Sequence, residues 1–350
     1  MGEFGIQLQL NNRDRGVREK LLRQGFLPVG RETYPLFRDF KGSSLLSELS
    51  PAVSTFWTGS FHELYRFIGG DLVTVFFFNG MDPYFEINRS RKDPSPAAGS
   101  DPAAPLFSLK DLVDVLYGIA LGAGLPSLRV YAVEERFLEE YRAVPGYEVA
   151  VEYSDDHSEY VYKPADIVNL SGGINHKKHT HLNKLLGRED IEIKPMNNDN
   201  RRLFLDIERE WCAFQDCAIC SAFAGCEYKA LEIMADIYDD KYFRGLFGYV
   251  EGNAAGYLIW ERREEGRVYL HFGKGLIRNF FAYLIYILAR DELGGALPAG
   301  GSGTLSACPP VVSLNLNEDM GKEGLRQFKK HLGIYEHYRK YLCMYKKCPA

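Results

Sequence analysis

Three histidines and two lysines lie within six residues near the middle of the chain. The segment that begins at Asn175 reads Asn-His-Lys-Lys-His-Thr-His-Leu, and Ser171-Gly172-Gly173 precedes it. Closely spaced imidazoles are typical of metal sites. Lysines that follow a glycine-rich turn at a helix start are instead typical of anion sites, because backbone N–H groups and the helix dipole favour negative charge.

Helical geometry argues against the metal site. If residues 174–186 form a helix with about 100° between successive residues, His179 and His181 lie about 160° apart around its axis and cannot share one ion. His176 and His179 could meet at i, i+3, but Zn²⁺ would still need ligands from elsewhere. We therefore expect no metal there, and we predict that an anionic part of a substrate binds to Ser171, Gly172, Gly173, His176, Lys177 and Lys178.

Lys178 falls near the centre of the apolar stripe of that predicted helix. A lysine at such a position either extends its ammonium group to the edge of the domain or lines a pocket. The preceding glycine-rich turn favours the pocket, and the sequence alone leaves both possibilities open.

A second group of polar residues follows a predicted strand nearer the C-terminus. Apolar and polar residues alternate over 311–316, which predicts a strand with one buried face. Asp319 follows where this strand passes into a predicted helix over 321–332, and open α/β sheets bind ligands beyond such strand ends. Asp319 could cap that helix, orient or deprotonate a nucleophile, or do both. We predict a catalytic role for Asp319 and substrate binding by Asn317, Arg326 and Lys329.

Four of the seven cysteines are clustered. Cys212, Cys217, Cys220 and Cys226 have C-x4-C-x2-C-x5-C spacing, which is irregular for Zn²⁺ or an iron–sulfur cluster. The flanking residues 201–214 and 227–238 show helical periodicity, so we expect partly buried thiols. The sequence leaves metal binding by these cysteines open.

Composition excludes several classes of protein. The 350 residues carry a formal net charge of −5, so no global basic field attracts DNA or anionic membranes. The most apolar stretches are shorter than the roughly 20 residues needed to span a bilayer. No signal peptide is recognisable, and the odd number of cysteines fits reduced thiols. These features predict a cytoplasmic protein, and they do not give its oligomeric state.

The order of predicted elements repeats once along the chain. The first set contains strands over 71–79 and 82–88, a helix over 109–121, a strand over 127–133 and a helix over 134–141. The second set contains a hairpin over 245–261, a strand over 267–272, a helix over 279–293, the strand over 311–316 and the helix over 321–332. The repeat predicts two similar α/β domains, residues 1–165 and 166–350.

Two segments resemble a known family. Residues 162–184 read Tyr-Lys-Pro-Ala-Asp-Ile-Val-Asn-Leu-Ser-Gly-Gly-Ile-Asn-His-Lys-Lys-His-Thr-His-Leu-Asn-Lys, and residues 317–329 read Asn-Glu-Asp-Met-Gly-Lys-Glu-Gly-Leu-Arg-Gln-Phe-Lys. Both are similar to motifs of the soluble bacterial proteins grouped with the C-terminal domain of phosphatidylglycerol lysyltransferases. His179 and Thr180 replace an Arg and an Asn that are usual in this family. The resemblance implies mixed α/β sheets in two GNAT-like acyltransferase folds in tandem.

The resemblance also implies a function, which is transfer of an acyl or aminoacyl group to an amine or hydroxyl acceptor. Acyl-CoA or aminoacyl-tRNA is the possible donor, no cofactor is required, and an anion-binding cleft is expected near the domain junction. GNAT acetyltransferases hold acetyl-CoA on a loop of Gln/Arg-x-x-Gly-x-Gly/Ala type. The matching residues 273–278 read Gly-Lys-Gly-Leu-Ile-Arg, with glycines and cations at a different spacing. The alternative is a binding or regulatory protein that keeps the fold without the chemistry.

Overall fold

The computed structural model describes residues 10–40, 42, 44–77, 81–90, 107–169, 176–214, 227–263, 265–294 and 310–349. The chain forms two compact units, each made of segments that are not contiguous in sequence. The first unit contains Met1–Ser154, Ile219–Ile233 and Arg339–Ala350, and the second contains Asp155–Ala218 and Met234–Tyr338.

The first unit is built on one mixed sheet. Its strands are β1 (Leu27–Pro28), β2 (Leu64–Ile68), β3 (Asp71–Phe76), β4 (Tyr84–Asn88), β5 (Leu128–Glu134), β6 (Tyr147–Tyr153) and, from the C-terminal segment, β14 (Lys340–Lys347). Its helices are α1 (Asn12–Arg23), α2 (Tyr34–Asp39), α3 (Pro51–Phe61), α4 (Leu109–Ala123) and α5 (Leu138–Arg142), with short 3-10 turns at Arg31–Thr33 and Glu135–Phe137.

The second unit contains the other sheet. Its strands are β7 (Glu159–Tyr162), β8 (Ile191–Pro195), β9 (Phe243–Val250), β10 (Asn253–Arg262), β11 (Arg267–Gly275), β12 (Ser313–Asn315) and β13 (Tyr335–Tyr338). Its helices are α6 (Pro164–Val168), α7 (His176–Leu186), α8 (Leu203–Phe214), α10 (Phe280–Gly294) and α11 (Glu323–Lys330), with a 3-10 turn at Asp155–His157. Helix α9 (Glu227–Ile237) is divided between the two units.

The two sheets have the same architecture. The first has the order β1-β2-β3-β4-β5-β14-β6, and the second has the order β8-β9-β10-β11-β12-β7-β13. In both sheets every neighbouring pair is antiparallel except the fourth and fifth strands, which are parallel. The prediction of a tandem of similar mixed α/β folds is therefore confirmed.

Each sheet takes its sixth strand from a distant part of the chain. Strand β7 lies directly after the first set of strands in sequence, but it pairs with β12 and β13 of the second sheet. Strand β14 lies at the C-terminal end of the chain, but it pairs with β5 and β6 of the first sheet. Sheet pairing therefore does not follow a single division of the chain at residues 165 and 166.

Helix α4 shows how local sequence signals build the first core. It begins with a capping box in which Ser108 and Asp111 exchange hydrogen bonds. It ends at Gly124, whose φ of 90° a side chain would disfavour. Leu112 and Leu116 on its apolar face are 0% exposed, so this face packs on the sheet as the helical periodicity predicted.

Helix α10 lies very close to the second sheet because two strand positions are glycines. A Cβ atom at Gly248 would lie 2.6 Å from the ring of Phe280, and one at Gly256 would lie 3.0 Å from Leu284. Both contacts are shorter than side chains tolerate without displacement. The glycines therefore fix the position of the first turns of α10, which border the candidate site described below.

Most of the predicted elements are present, although many of their ends differ by a few residues. Two of these differences concern the helices predicted over 134–141 and 321–332. The helix predicted over 134–141 is a 3-10 turn followed by α5, because β5 continues through Glu134. The helix predicted over 321–332 begins only at Glu323, with Lys322 at its N-cap position. Asp319 therefore does not cap that helix.

Deletion of β14 tests the strand exchange. We expect a chain that ends at Tyr338 to lose the cooperative unfolding transition of the first unit, because β5 and β6 lose the strand between them. Cys343 and Tyr345, both 0% exposed, would also leave the core. Differential scanning calorimetry measures this loss. A control chain that ends at Cys348 keeps β14 and should unfold like the full chain, and a native transition in the shorter chain would contradict the exchange.

Candidate functional site at the end of β11

Strand β11 extends beyond its partner β12. Only Arg267, Val268 and Tyr269 pair with β12, in parallel register with residues 313–315. Strand β11 continues to Gly275, and beyond Leu270 its partner within the described residues is β10 alone. One edge of residues 271–275 is therefore available to a ligand that hydrogen-bonds along a strand.

Asn317 marks the point where the two strands separate. Its Nδ2 donates to the carbonyl oxygen of Leu270 at 2.6 Å, and its backbone N–H donates to Oδ1 of Asn315 at 2.9 Å. Its φ of 58° is in the left-handed region, which asparagine adopts more readily than most residues. Asn317 thus caps the paired segment with its side chain while its backbone turns the chain away from β11.

A bulge at His271 exposes the backbone of the open edge. Trp260 pairs with Leu270 and Ile259 pairs with Phe272, so His271 is the extra residue of a β-bulge. The His271 ring contacts Oε2 of Glu261 at 3.2 Å, and this side chain is 0% exposed. The residue as a whole is half-buried, so the exposed atoms belong to its backbone.

A cavity of about 340 Å³ lies where β11 passes into α10. Residues 275–279 form one wall, and Ala282 borders it. The remaining walls are the aromatic side chains of Trp211, Phe214, Phe281 and Phe328. The rings of Phe281 and Phe328 stack with centroids 5.3 Å apart, which ties α11 to the start of α10. The site is concave, has aromatic side chains at four of its ten lining residues and is within the size range of small-ligand pockets.

Positive charge is present at the mouth of this cavity. Arg278 is exposed and lines it, and Arg278 forms no ion pair with any other residue in the described part of the chain. Asn279, next to it, has a φ of 65°, which turns the chain into the fifteen-residue helix α10. A helix start beside a guanidinium group favours an anionic ligand.

A buried carboxylate lies behind the aromatic wall. Glu208, on α8, is 1% exposed, and it accepts a hydrogen bond of 2.8 Å from the hydroxyl of Tyr257. The ammonium group of Lys274 lies 4.0 Å from Glu208 and 4.6 Å from the centre of the Trp211 ring. The sequence reasoning missed Glu208 and Lys274. The available signal was that Glu208 lies one helical turn after Phe204 and one before Trp211, within the apolar stripe of α8.

Asp319 is fully enclosed by hydrogen-bond donors. Its carboxylate accepts two bonds of 2.9 Å from Arg326, one of 2.7 Å from the Tyr160 hydroxyl and one of 2.9 Å from the N–H of Gly321. Burial alone raises the pKa of Asp319, but the hydrogen bonds from Arg326, Tyr160 and Gly321 outweigh it and lower the pKa to about 2. Such a carboxylate is a weak base at neutral pH, so the geometry describes an anchor of the loop, and the catalytic role of Asp319 stays a prediction.

Lys329 anchors the same loop. Its ammonium group donates to the carbonyl oxygens of Leu316 at 2.6 Å, Asn317 at 2.9 Å and Glu318 at 2.5 Å. Three donated bonds are the full capacity of an ammonium group, and Lys329 is 4% exposed. The structure therefore brings Asn317, Asp319, Arg326 and Lys329 together as predicted, but it uses Lys329 and Arg326 to hold the protein's own backbone and carboxylates.

Some of the other predicted residues are outside what the structure describes. Ser171, Gly172 and Gly173 lie outside the described residues, as do Cys217, Cys220 and Cys226. His176, Lys177 and Lys178 are in the first turn of α7, as the helix prediction required. Their role in anion binding stays a prediction.

Two further features concern metals and membranes. Within the described ranges, no group of three or more His, Cys, Asp or Glu side chains could hold a metal ion. Cys212, the described member of the cysteine cluster, has its Sγ 3.8 Å from Oε1 of Glu208. None of the described helices has the length and apolar character needed to cross a bilayer.

Comparison with known proteins identifies the family. Residues 100–344 match the sequence profile described as phosphatidylglycerol lysyltransferase, C-terminal. This match covers more than half of the chain and includes both recognised motifs, so the protein belongs to this family. No curated protein sequence matches the chain.

Solved structures share the fold at low sequence identity. A conserved protein of unknown function from Bacteroides thetaiotaomicron is 18% identical, with a TM-score of 0.74 over 92% of this chain and 99% of that one. The C-terminal domain of a lysylphosphatidylglycerol synthetase from Agrobacterium fabrum is 13% identical, with a TM-score of 0.55 over 94% and 92% of the two chains. L-PGS from Bacillus licheniformis is 14% identical, with a TM-score of 0.55 over 91% and 92%. Family and fold together support an aminoacyl- or acyl-transferase.

Substitution of Asp319 distinguishes an anchor from a base. We expect Asp319→Asn to lower the Tm by about 5 °C or more, because Arg326 and Tyr160 lose a buried anionic partner. The depressed pKa means that the contribution of Asp319 to stability is present above its ordinary pKa of 3.8 and is lost as the pH falls through about 2. The variant should therefore lose part of the dependence of stability on pH in that range, as measured by thermal melts.

Asp156→Asn is the matched control. Asp156 also binds Arg326, but its side chain is 47% exposed, so we expect a much smaller change in Tm. An Asp319→Asn protein that melts like the wild type and has lost only catalytic activity would instead support the role as a general base.

Proposed function

We propose that this protein transfers an acyl or aminoacyl group from an activated donor to an amine or hydroxyl acceptor, with the donor bound in the cavity of the second unit. The position of the cavity carries the proposal. It lies where the open edge of β11 meets the start of α10, so a polar strand edge and an anion-favouring helix start serve one ligand. Membership of a lysyltransferase family supports group transfer as the type of reaction.

The cavity suits the nucleotide end of a donor. Acyl-CoA and aminoacyl-tRNA, the two expected donors, both contain an adenosine with a phosphate nearby. The aromatic walls offer stacking surfaces for a base, and Arg278 with the first turn of α10 offers partners for a phosphate. The extended part of the donor would then run along residues 271–275.

The reaction needs a group that accepts a proton. When an amine nitrogen attacks the donor carbonyl, a C–N bond forms, the C–S or C–O bond to the donor breaks, and the nitrogen loses a proton. We propose Glu208 as the proton acceptor, because it is a buried carboxylate beside the wall formed by Trp211. Tyr257 and Lys274 would orient it. Asp319 remains the second candidate for this role.

A screen of donors tests the function. Thermal shifts are measured with acetyl-CoA, charged tRNA, uncharged tRNA and AMP, and transfer of a radiolabelled acyl or aminoacyl group to small amines and alcohols is measured in parallel. Stabilisation by one donor together with label transfer supports the proposal. Saturable binding without transfer to any acceptor would support the binding or regulatory protein. Absence of both binding and transfer would contradict the donor site.

Arg278→Ala tests the anion-binding part of the cavity. We expect the Kd for a phosphate-bearing donor or for AMP to rise about tenfold, because one charge-assisted contact is lost. The matched control is Arg290→Ala, on helix α10 away from the cavity lining, since Arg290 is 51% exposed and already pairs with Asp291 at 2.9 Å. Equal affinities for AMP in the two variants, measured by calorimetry, would remove Arg278 from the site.

A further inference from the structure

The first unit contains a buried carboxylate with no partner. Glu63, just before β2, is 1% exposed, and neither oxygen of its carboxyl group has a hydrogen-bond partner. Buried polar groups in folded proteins are nearly always paired, and an unpaired acid is more unusual than an unpaired hydroxyl. Within its described residues the protein itself supplies no hydrogen-bond donor to Glu63, so this side chain is a candidate for binding a ligand.

Other carboxylates lie near Glu63 on the same side of the sheet. Tyr65, Thr74, Glu86 and Tyr131 are successive cross-strand partners, so their side chains share one face. Glu63 precedes Tyr65 by two residues, which places it on that side by the alternation of an extended chain. Glu86 is 2% exposed, so two glutamates are buried on one face.

Lys340, the buried lysine beside Tyr131, already has a carboxylate partner. Lys340, 3% exposed, forms an ion pair with Glu48 and lies 5.7 Å from the centre of the Tyr131 ring. Burial, and then the charges of Glu86 and Glu48, raise the pKa of Glu63 well above its ordinary value.

In the second sheet, the glutamate among the corresponding cross-strand partners is bound by other side chains of the protein. There, Phe243, Glu261, Tyr269 and Asn315 are the successive partners. Glu261 accepts a bond of 2.7 Å from Arg263 and contacts His271 at 3.2 Å. In the first sheet, by contrast, the charges that act on the carboxyl group of Glu63 are those of Glu86 and Glu48, and both are negative.

We propose that Glu63 and Glu86 bind the ammonium group of a small primary amine inside the first unit. An ammonium group has three N–H donors, so it can satisfy both oxygens of Glu63 and reach Glu86. A metal ion fits less well, because the described acidic and histidine side chains do not converge in threes. Glu48, whose side chain is 24% exposed, is the member of the group that reaches solvent. This site is independent of the donor cavity in the second unit.

Propylamine is the probe, and 1-propanol is its uncharged counterpart of similar size. With the full chain, we expect propylamine to raise the Tm saturably, by roughly 5 °C at about a hundredfold excess over its Kd, and propanol not to do so. Binding should release a proton at a pH below the raised pKa of Glu63, because the ammonium ion ionises it. Equal shifts with both probes, or none with propylamine, would overturn the proposal.

Glu63→Gln separates the binding role from a structural one. We expect this variant to lose the propylamine shift and the proton release, and to melt at or above the wild-type temperature without amine, since it removes an unpartnered acid. Glu292→Gln is the matched control. Glu292, 7% exposed, is bound by Arg244, Arg262 and Trp260, so this variant should melt lower and still respond to propylamine. A Glu63→Gln protein with an unchanged propylamine shift would refute the site.

Discussion

The loop that follows β12 determines where the second sheet opens. Lys329 holds three consecutive carbonyl oxygens of this loop, and Asp319 is held by Arg326, Tyr160 and Gly321. A buried ammonium group is tolerated only when its hydration is replaced in full, and the carbonyl oxygens replace it. Because the loop is fixed in this way, β12 ends after Asn315, and among the described strands β11 continues paired with β10 on one side only. The available edge, the bulge at His271 and the aromatic cavity all lie beyond that point.

The exchange of β7 and β14 has consequences for folding. Each sheet lacks a strand between two others until a segment from far along the chain arrives. Long sequence separations between paired strands slow folding, because loop-closure entropy is lost before the contacts form. Neither sheet is complete within one continuous stretch of sequence, so the two units are built from interdependent segments even though each has its own core.

The sequence predicted the repeated set of elements well, because hairpins and amphipathic helices have local periodic signals. It could not predict the partners of β7 and β14, since pairing between distant segments leaves no trace in spacing. For the site, the sequence correctly grouped Asn317, Asp319, Arg326 and Lys329. It could not show that the Lys329 protons bind backbone carbonyls, because the direction of a side chain depends on the turn around it. Glu208 was missed although it lies in the apolar stripe of α8, because that position alone does not tell whether the carboxylate is buried or reaches solvent at the edge of the stripe.

The two units show how one scaffold supports different electrostatics. Their sheets have the same strand order and the same single parallel pair, which hydrophobic patterning can preserve with few identical residues. The polar side chains at corresponding cross-strand positions of the two sheets are not fixed by hydrophobic patterning and can differ. In the second sheet, Arg263 forms an ion pair with Glu261, His271 contacts the same carboxylate, and the open edge of β11 is left to carry the candidate chemistry. In the first, Lys340 forms an ion pair with Glu48, neither carboxyl oxygen of Glu63 has a hydrogen-bond partner among the described residues, and the proposed ammonium ion would balance the charge of Glu63. A buried acid that is balanced in this way belongs to binding rather than to folding, because folding alone would favour its replacement by a neutral side chain.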